Sequence, residues 1–169
     1  MSRLDEAFKK GQALEDDEKK ELAKIEKEKN RLSKLLDSAP SSDRSLKVRF
    51  DLQRKITAKA EEGLRICLLL LGKALAQQAA FKAKQAGAKT IGPCVDAIDK
   101  EIADETAELN RYLAQFGALA AVGQGNTKDA EDAMRKAVYI MSHLEGKQEI
   151  RKIFAESKER YSRTKVSDK

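Results

Sequence analysis

The sequence predicts an all-α protein, an antiparallel up-down-up-down four-helix bundle built from long helices. Charged residues make up 37% of the 169 residues and there are only two prolines, a composition typical of long exposed helices. Apolar residues recur at helical spacing over most of the chain. Turn-forming sequences near residues 38–44, 87–93 and 123–126 separate these stretches, and such short connections favour antiparallel neighbouring helices.

The N-terminal part is predicted to contain a weak helical arm followed by a stronger helix. The arm, residues 1–15, carries Leu4 and Phe8. Asp16 and Asp17 are suited to cap the stronger helix, because acidic side chains stabilise a helix N-terminus. That helix has a short heptad seam, which consists of Leu22, Ile25, Leu32 and Leu36.

The second helix is predicted from about Ser45 to Ala86 and holds the most apolar stretch of the chain, residues 64–71. Two adjoining stripes are expected to face the bundle core, Leu64, Leu68, Leu71 and Leu75 in one and Gly63, Cys67, Leu70 and Ala74 in the other. A membrane span is the alternative interpretation. Charged and polar residues interrupt the apolar run before the roughly 20 residues that a bilayer requires, so we expect no transmembrane segment.

On the opposite side of the same helix lie two further apolar residues, Ile66 and Leu69. They are predicted to point away from the two core stripes, among charged neighbours such as Arg65 and Lys73. A large apolar residue in that place is either incidentally exposed or part of a contact with another chain. We interpret the pair as part of a partner or self-association interface.

The third helix has the most regular heptad pattern of the chain, with Glu105 at its single polar position. The apolar positions of this pattern are Val95, Ile98, Ile102, Leu109, Tyr112, Phe116 and Leu119. Leu113 and Ala120 widen the stripe in its second half, which favours a bundle over an isolated two-stranded coiled coil.

The fourth segment has two opposed apolar faces. The first is predicted to pack into the core and comprises Met134, Ala137, Val138, Met141 and Leu144. The second is predicted to be a partner interface and comprises Tyr139, His143, Ile150, Phe154 and Tyr161. Either the helix breaks at Gly146, where glycine costs about 1 kcal/mol relative to alanine, or it continues and something covers the second face. The N-terminal arm, a second copy of the chain and a foreign partner are the possible covers.

Residues suited to catalysis or metal binding are few. His143 is the only histidine, which excludes a His-rich metal site, and the sequence nominates no nucleophile beside it. Cys94 lies in the first turn of a helix, where a thiol is mildly activated, but a small buried residue is the more common outcome. Cys67 is expected in the core. We therefore expect no enzymatic activity, no cofactor and no bound metal.

The net charge of +6 is unevenly distributed. Residues 44–89 hold 11 basic and 3 acidic side chains, whereas residues 94–122 hold 2 and 6. Attraction between the second and third helices is therefore expected to use much of this charge inside the molecule. The alternative is an anion-binding site for nucleic acid or acidic lipid at the basic start of the second helix, formed by Arg44, Lys47, Arg49, Arg54, Lys55 and Lys59.

The leading functional hypothesis is a non-enzymatic protein–protein interaction module, such as an adaptor, a chaperone-like protein or a scaffold. It acts through a protein partner or self-association and takes no small-molecule substrate. The alternative is a binder of anionic surfaces through the second helix. We expect a single domain over residues 1–169, with a frayed tail at 166–169. The two dissimilar cysteines and the absence of an apolar run at the N-terminus favour the cytoplasm.

Overall fold

A computed structural model describes the backbone of residues 2–39 and 43–164, and within these ranges the side chains of residues 2–39 and 46–157. The described chain forms four α-helices and no strand. The helices are α1 (Arg3–Asp37), α2 (Asp43–Gln85), α3 (Ile91–Ala121) and α4 (Lys128–Thr164). These four helices confirm the predicted all-α four-helix fold, and the three connections lie where the turns are predicted. The predicted frayed tail lies outside the described residues.

The chain divides into two compact units, which we call the larger and the smaller unit. The larger unit comprises Met1–Glu15 and Leu68–Lys169, and the smaller unit comprises Asp16–Cys67. Helix α1 is continuous from Arg3 to Asp37, so residues 1–15 are not a separate arm. The single-domain organisation stays a prediction.

The helix ends follow local backbone signals. Gly87 and Gly123 have positive φ values of 102° and 76°, a left-handed conformation that ends α2 and α3 without the penalty that a Cβ atom would add. Thr127 caps α4, since its Oγ1 accepts a 3.4 Å hydrogen bond from the N–H of Ala130.

The core of the larger unit is built largely from small and branched side chains. Its buried residues are Leu4, Ala7, Ala76, Ala80, Ile91, Cys94, Val95, Ile98, Ile150 and Phe154. Phe8 of α1 packs edge-on against Phe154 of α4, with ring centroids 5.2 Å apart, and against Phe81 of α2 at 6.3 Å. The first turns of α1 thus cover Ile150 and Phe154, which belong to the second apolar face of α4. Of the three possible covers, the chain's own N-terminal segment is present.

Helices α3 and α4 form an antiparallel pair, which their ion pairs define. As the residue number rises along α3, the number of its partner on α4 falls. The pairs are Asp99 with Arg151, Glu101 with Lys147, and Glu105 with His143. Further along, Lys136 of α4 lies 5.2 Å from the ring centre of Tyr112. Acidic residues of α3 therefore fix its register on α4.

Helices α2 and α4 cross at a contact between two glycines. A Cβ atom built on Gly72 would collide with the carbonyl oxygen of His143, and one built on Gly146 would collide with that of Leu69. Helix α4 runs through Gly146 without a break. The glycine at this position is therefore needed for the close approach of two backbones rather than for a bend.

The smaller unit is a pair of antiparallel helical segments, the later part of α1 and the first part of α2. Ile25 and Leu32 are buried in it, which confirms the predicted heptad seam of α1. A Cβ atom built on Gly63 would lie 3.6 Å from the side chain of Ile25, so the two helices also approach closely here. Near their other end, Arg49 Nη1 donates a 3.1 Å hydrogen bond to the carbonyl oxygen of Ala39.

Candidate functional site

The predicted partner interface on α4 lies mostly inside the protein. Ile150 and Phe154 are fully buried, and Tyr139 and His143 are half-buried. The side chain of Tyr161 lies outside the described residues. Ile150 and Phe154 belong to the core because Phe8 and its neighbours on α1 cover them. The role of the predicted interface in binding another chain stays a prediction.

The other face of α4 is correspondingly more open than predicted. Val138 and Met141 are exposed, so the prediction that they pack into the core is wrong. The side of α4 that does enter the core is rich in alanine: Ala130, Ala133, Ala137, Ile140, Leu144, Lys147, Ile150 and Phe154. Small side chains permit the short distance between helices that the crossing at Gly146 imposes.

Helix α2 is turned the opposite way from the prediction. Ile66 and Leu69 are buried, so the prediction that they point away from the core is wrong. The same side of the helix includes Lys73, whose side chain is only 1% exposed and whose Nζ lies 2.6 Å from Glu149 Oε2. For Leu69 and Lys73, the physical reason is the close crossing with α4. The crossing buries the side of α2 that carries glycine and alanine. Leu69 and Lys73 lie on this side, at the crossing itself.

The larger unit consequently presents leucines to solvent on the outer side of α2. We define the outer leucine face as Leu68, Leu70, Leu71, Ala74 and Leu75. Leu71 is 47% exposed, Ala74 is exposed and the other three are half-buried. Between residues 68 and 81 the only charged side chain is Lys73, which is buried on the opposite side. The outer leucine face is therefore apolar and carries no charge.

A polar cluster lies between α3 and α4. His143 Nδ1 is 3.0 Å from Glu105 Oε1, and Lys147 Nζ donates a 3.1 Å hydrogen bond to Glu101 Oε2. Lys147 Nζ is also 2.9 Å from Glu105 Oε2. These two atoms form an ion pair but no hydrogen bond. His143 Nε2 is buried and has no hydrogen-bond partner among the described residues. The cluster pairs charged groups across two helices, and none of its four members is a serine, threonine or cysteine.

The basic start of α2 is largely free of intramolecular ion pairs. Lys47, Arg54 and Lys55 are exposed and form none with the described residues. Lys59 pairs with Glu62 at 2.7 Å, and Arg49 donates to a backbone carbonyl. The side chain of Arg44 lies outside the described residues.

The acidic residues of α3 were expected to neutralise these cations. Asp99, Glu101 and Glu105 instead pair with α4, so the prediction is wrong for these three. Their partners on α4 are Arg151, Lys147 and His143. The attraction that the charge pattern predicts is present, but it joins α3 to the next helix along the chain.

The two cysteines occupy different environments. Cys94 is buried, its Sγ donates to the carbonyl oxygen of Ala80 at 3.4 Å, and burial raises the pKa of its thiol. Cys67 is exposed, so its predicted place in the core is wrong. Among the described residues, no group of three or more His, Cys, Asp and Glu side chains is arranged to hold a metal ion.

No family model, curated protein or solved structure matches this chain. Among the described helices, one segment, Leu46–Gln85, is long and apolar enough in composition to cross a membrane. Within its most apolar window, 28% of the residues are buried inside the protein. The core helix of a soluble bundle satisfies the same criterion. The absence of a transmembrane segment stays a prediction.

Proposed function

We propose that the protein is a non-enzymatic, cytoplasmic interaction module that pairs with a second copy of itself through the outer leucine face of α2. The observation that carries this proposal is the exposure of Leu71 in an uncharged row of leucines. Apolar surface of this kind is stabilised when another apolar surface removes it from water.

The spacing of the leucines favours a helix as the occupant of this face. Leu68, Leu71 and Leu75 follow intervals of three and four residues, as in the seam of a coiled coil. Ala74, which lies beside them on the exposed side, is small, so a second helix is able to approach this face of α2 closely. Complete burial of a leucine side chain contributes about 1.5–3 kcal/mol, and the half-buried members contribute less.

The absence of charge favours a second copy in particular. In a two-fold symmetric dimer the same patch meets itself, so any charge on it would face a like charge. The outer leucine face has none between residues 68 and 81. Depletion of charge is also the usual composition of the centre of a dimer interface.

Light scattering after size-exclusion chromatography tests the proposal. We expect the full chain to have twice the mass of one 18.8 kDa chain, and Leu71→Glu to restore the mass of one chain. Leu113→Glu is the matched control, because Leu113 is also a helical leucine and is 41% exposed on α3. Circular dichroism checks that both variants keep their helix content.

Three results would contradict the proposal. One is a single-chain mass for the wild-type protein at every concentration tested. Another is a dimer that Leu71→Glu leaves intact, which would assign the contact to a different surface. A dimer lost equally in both variants would show a general effect of added charge and would also contradict the role of this face.

A further inference from the structure

The start of α2, in the smaller unit, presents a surface that the proposed dimer does not use. Leu46, Phe50 and Arg54 follow one another at intervals of four residues, and Lys47 lies beside them on the helix. All four side chains are exposed, and Phe50 is 67% exposed. Two large apolar side chains and two cations thus share one side of the helix.

Half of the basic side chains of this segment form no ion pair with the described residues. Residues 44–60 contain six basic residues and a single acidic one, Asp51. Lys47, Arg54 and Lys55 form no ion pair with any residue that the structure describes. A cluster of unpaired cations attracts an anionic surface, whether it consists of phosphates of a nucleic acid or of lipid headgroups.

The apolar side chains distinguish between these two surfaces. Duplex DNA is bound mainly through its phosphates, and contact with them does not require an exposed leucine and phenylalanine between the cations. A lipid surface rewards both features, because apolar side chains enter the boundary between headgroups and acyl chains while lysine and arginine remain at the headgroups. We infer that the exposed start of α2 docks on an anionic lipid membrane, with Leu46 and Phe50 inserted and with Lys47 and Arg54 at the lipid headgroups.

Tryptophan fluorescence tests the insertion directly, because the chain contains no tryptophan. Phe50→Trp places a single reporter on the proposed surface. Val122→Trp is its matched control, since Val122 is 69% exposed in the larger unit. On vesicles of phosphatidylcholine with phosphatidylserine we expect a blue shift for Trp at position 50 and none at position 122. On vesicles of phosphatidylcholine alone we expect no shift at either position.

Cosedimentation with the same vesicles tests the cations. Each basic residue near an anionic membrane strengthens binding roughly fivefold, so Lys47→Gln with Arg54→Gln is expected to weaken it roughly 25-fold at low salt. The control pair, Lys100→Gln with Lys152→Gln, lowers the net charge by the same amount on exposed positions of α3 and α4. Phe50→Ser is expected to weaken binding roughly tenfold or more. Circular dichroism confirms that the helices persist in each variant.

Several outcomes would overturn the inference. One is the absence of binding to phosphatidylserine vesicles at low salt. Another is an equal loss of vesicle binding in the Lys47→Gln, Arg54→Gln variant and in the control variant. Tighter binding to duplex DNA than to vesicles, unaffected by Phe50→Ser, would assign the cations to nucleic acid instead. The inference is independent of the proposed dimer, because Leu71→Glu changes the mass of the protein without altering this surface.

Discussion

Replacing Gly146 by alanine tests how closely α2 and α4 cross. The new Cβ atom would collide with the carbonyl oxygen of Leu69, and it would lie 3.1 Å from the Leu69 carbonyl carbon and 3.1 Å from the Lys73 nitrogen. All three are backbone atoms of a helix, so no side chain is able to rotate out of the way. The two helices have to move apart for the substitution to be accommodated.

Two opposing contributions determine the size of the effect. Alanine is favoured over glycine in a helix interior by about 1 kcal/mol. Overpacking of a core costs about 1–3 kcal/mol, and contact with backbone on the facing helix places this site at the upper end. We expect Gly146→Ala to lower the free energy of unfolding by about 2 kcal/mol, the difference between these two contributions.

Gly117→Ala provides the matched control, because Gly117 also lies inside a helix and a Cβ atom there would meet nothing within 4 Å. It should raise the free energy of unfolding by about 1 kcal/mol, which separates the two variants by about 3 kcal/mol. Urea unfolding followed by circular dichroism measures both values. Equal stability of the two alanine variants would refute the close crossing.

Two other predictions concern charged groups. Glu105→Gln should lower the free energy of unfolding by about 3 kcal/mol, because Glu105 is 12% exposed and faces the buried Lys147. Glu101→Gln, at a half-exposed position, should lower it by less than about 1 kcal/mol. Equal unfolding midpoints for these variants would contradict this ranking. A hydrogen bond from Lys84 is the main cause that lowers the pKa of Asp5 from 3.8 to about 2. The stabilisation from ionised Asp5 is therefore present above pH 3.8 and is lost as the pH falls towards 2. An NMR titration should show this pKa rising in Lys84→Gln, and an unchanged value would disprove the assignment.

Helix type, helix order and topology could be predicted from the sequence because they depend on local signals. Gly87 and Gly123 lie two residues after the ends of α2 and α3, and both have the positive φ that such a helix end requires. The heptad pattern of α3 likewise places Val95 and Ile98 in the core. Each of these signals acts within a few residues and needs no knowledge of the neighbouring helix.

The orientation of α2 could not be predicted in the same way. Helical projection selects the side with the bulkiest apolar residues as the core, and on α2 that side carries Leu71. The side of α2 that enters the core is determined by the neighbouring helix α4. Gly72 contacts the backbone of α4, and only a helix side rich in small residues fits there. Lys73 then enters the interior with its aliphatic stem, and Glu149 meets its charge. The signal that the sequence offers for this crossing is a glycine inside each helix, Gly72 in α2 and Gly146 in α4.

The pairing within the polar cluster also depends on a neighbour. Glu105 is the one polar residue in the heptad pattern of α3, and the sequence alone assigns it no partner. The antiparallel register of α3 on α4 brings it to His143 and Lys147. That register becomes predictable only when the short turn between these two helices is treated as a hairpin and the charges are matched across it.

Hydroxyl-radical footprinting at low and high concentrations of the unmodified protein tests whether two copies pair through the outer leucine face. Mass spectrometry reports the oxidation of Leu71 on the outer leucine face and of Leu113 on α3 in the same sample. If two copies pair through α2, oxidation of Leu71 falls as the concentration rises while that of Leu113 stays constant. If Leu71 is oxidised at the same rate at both concentrations while the mass doubles, the outer leucine face is not the contact between the two copies.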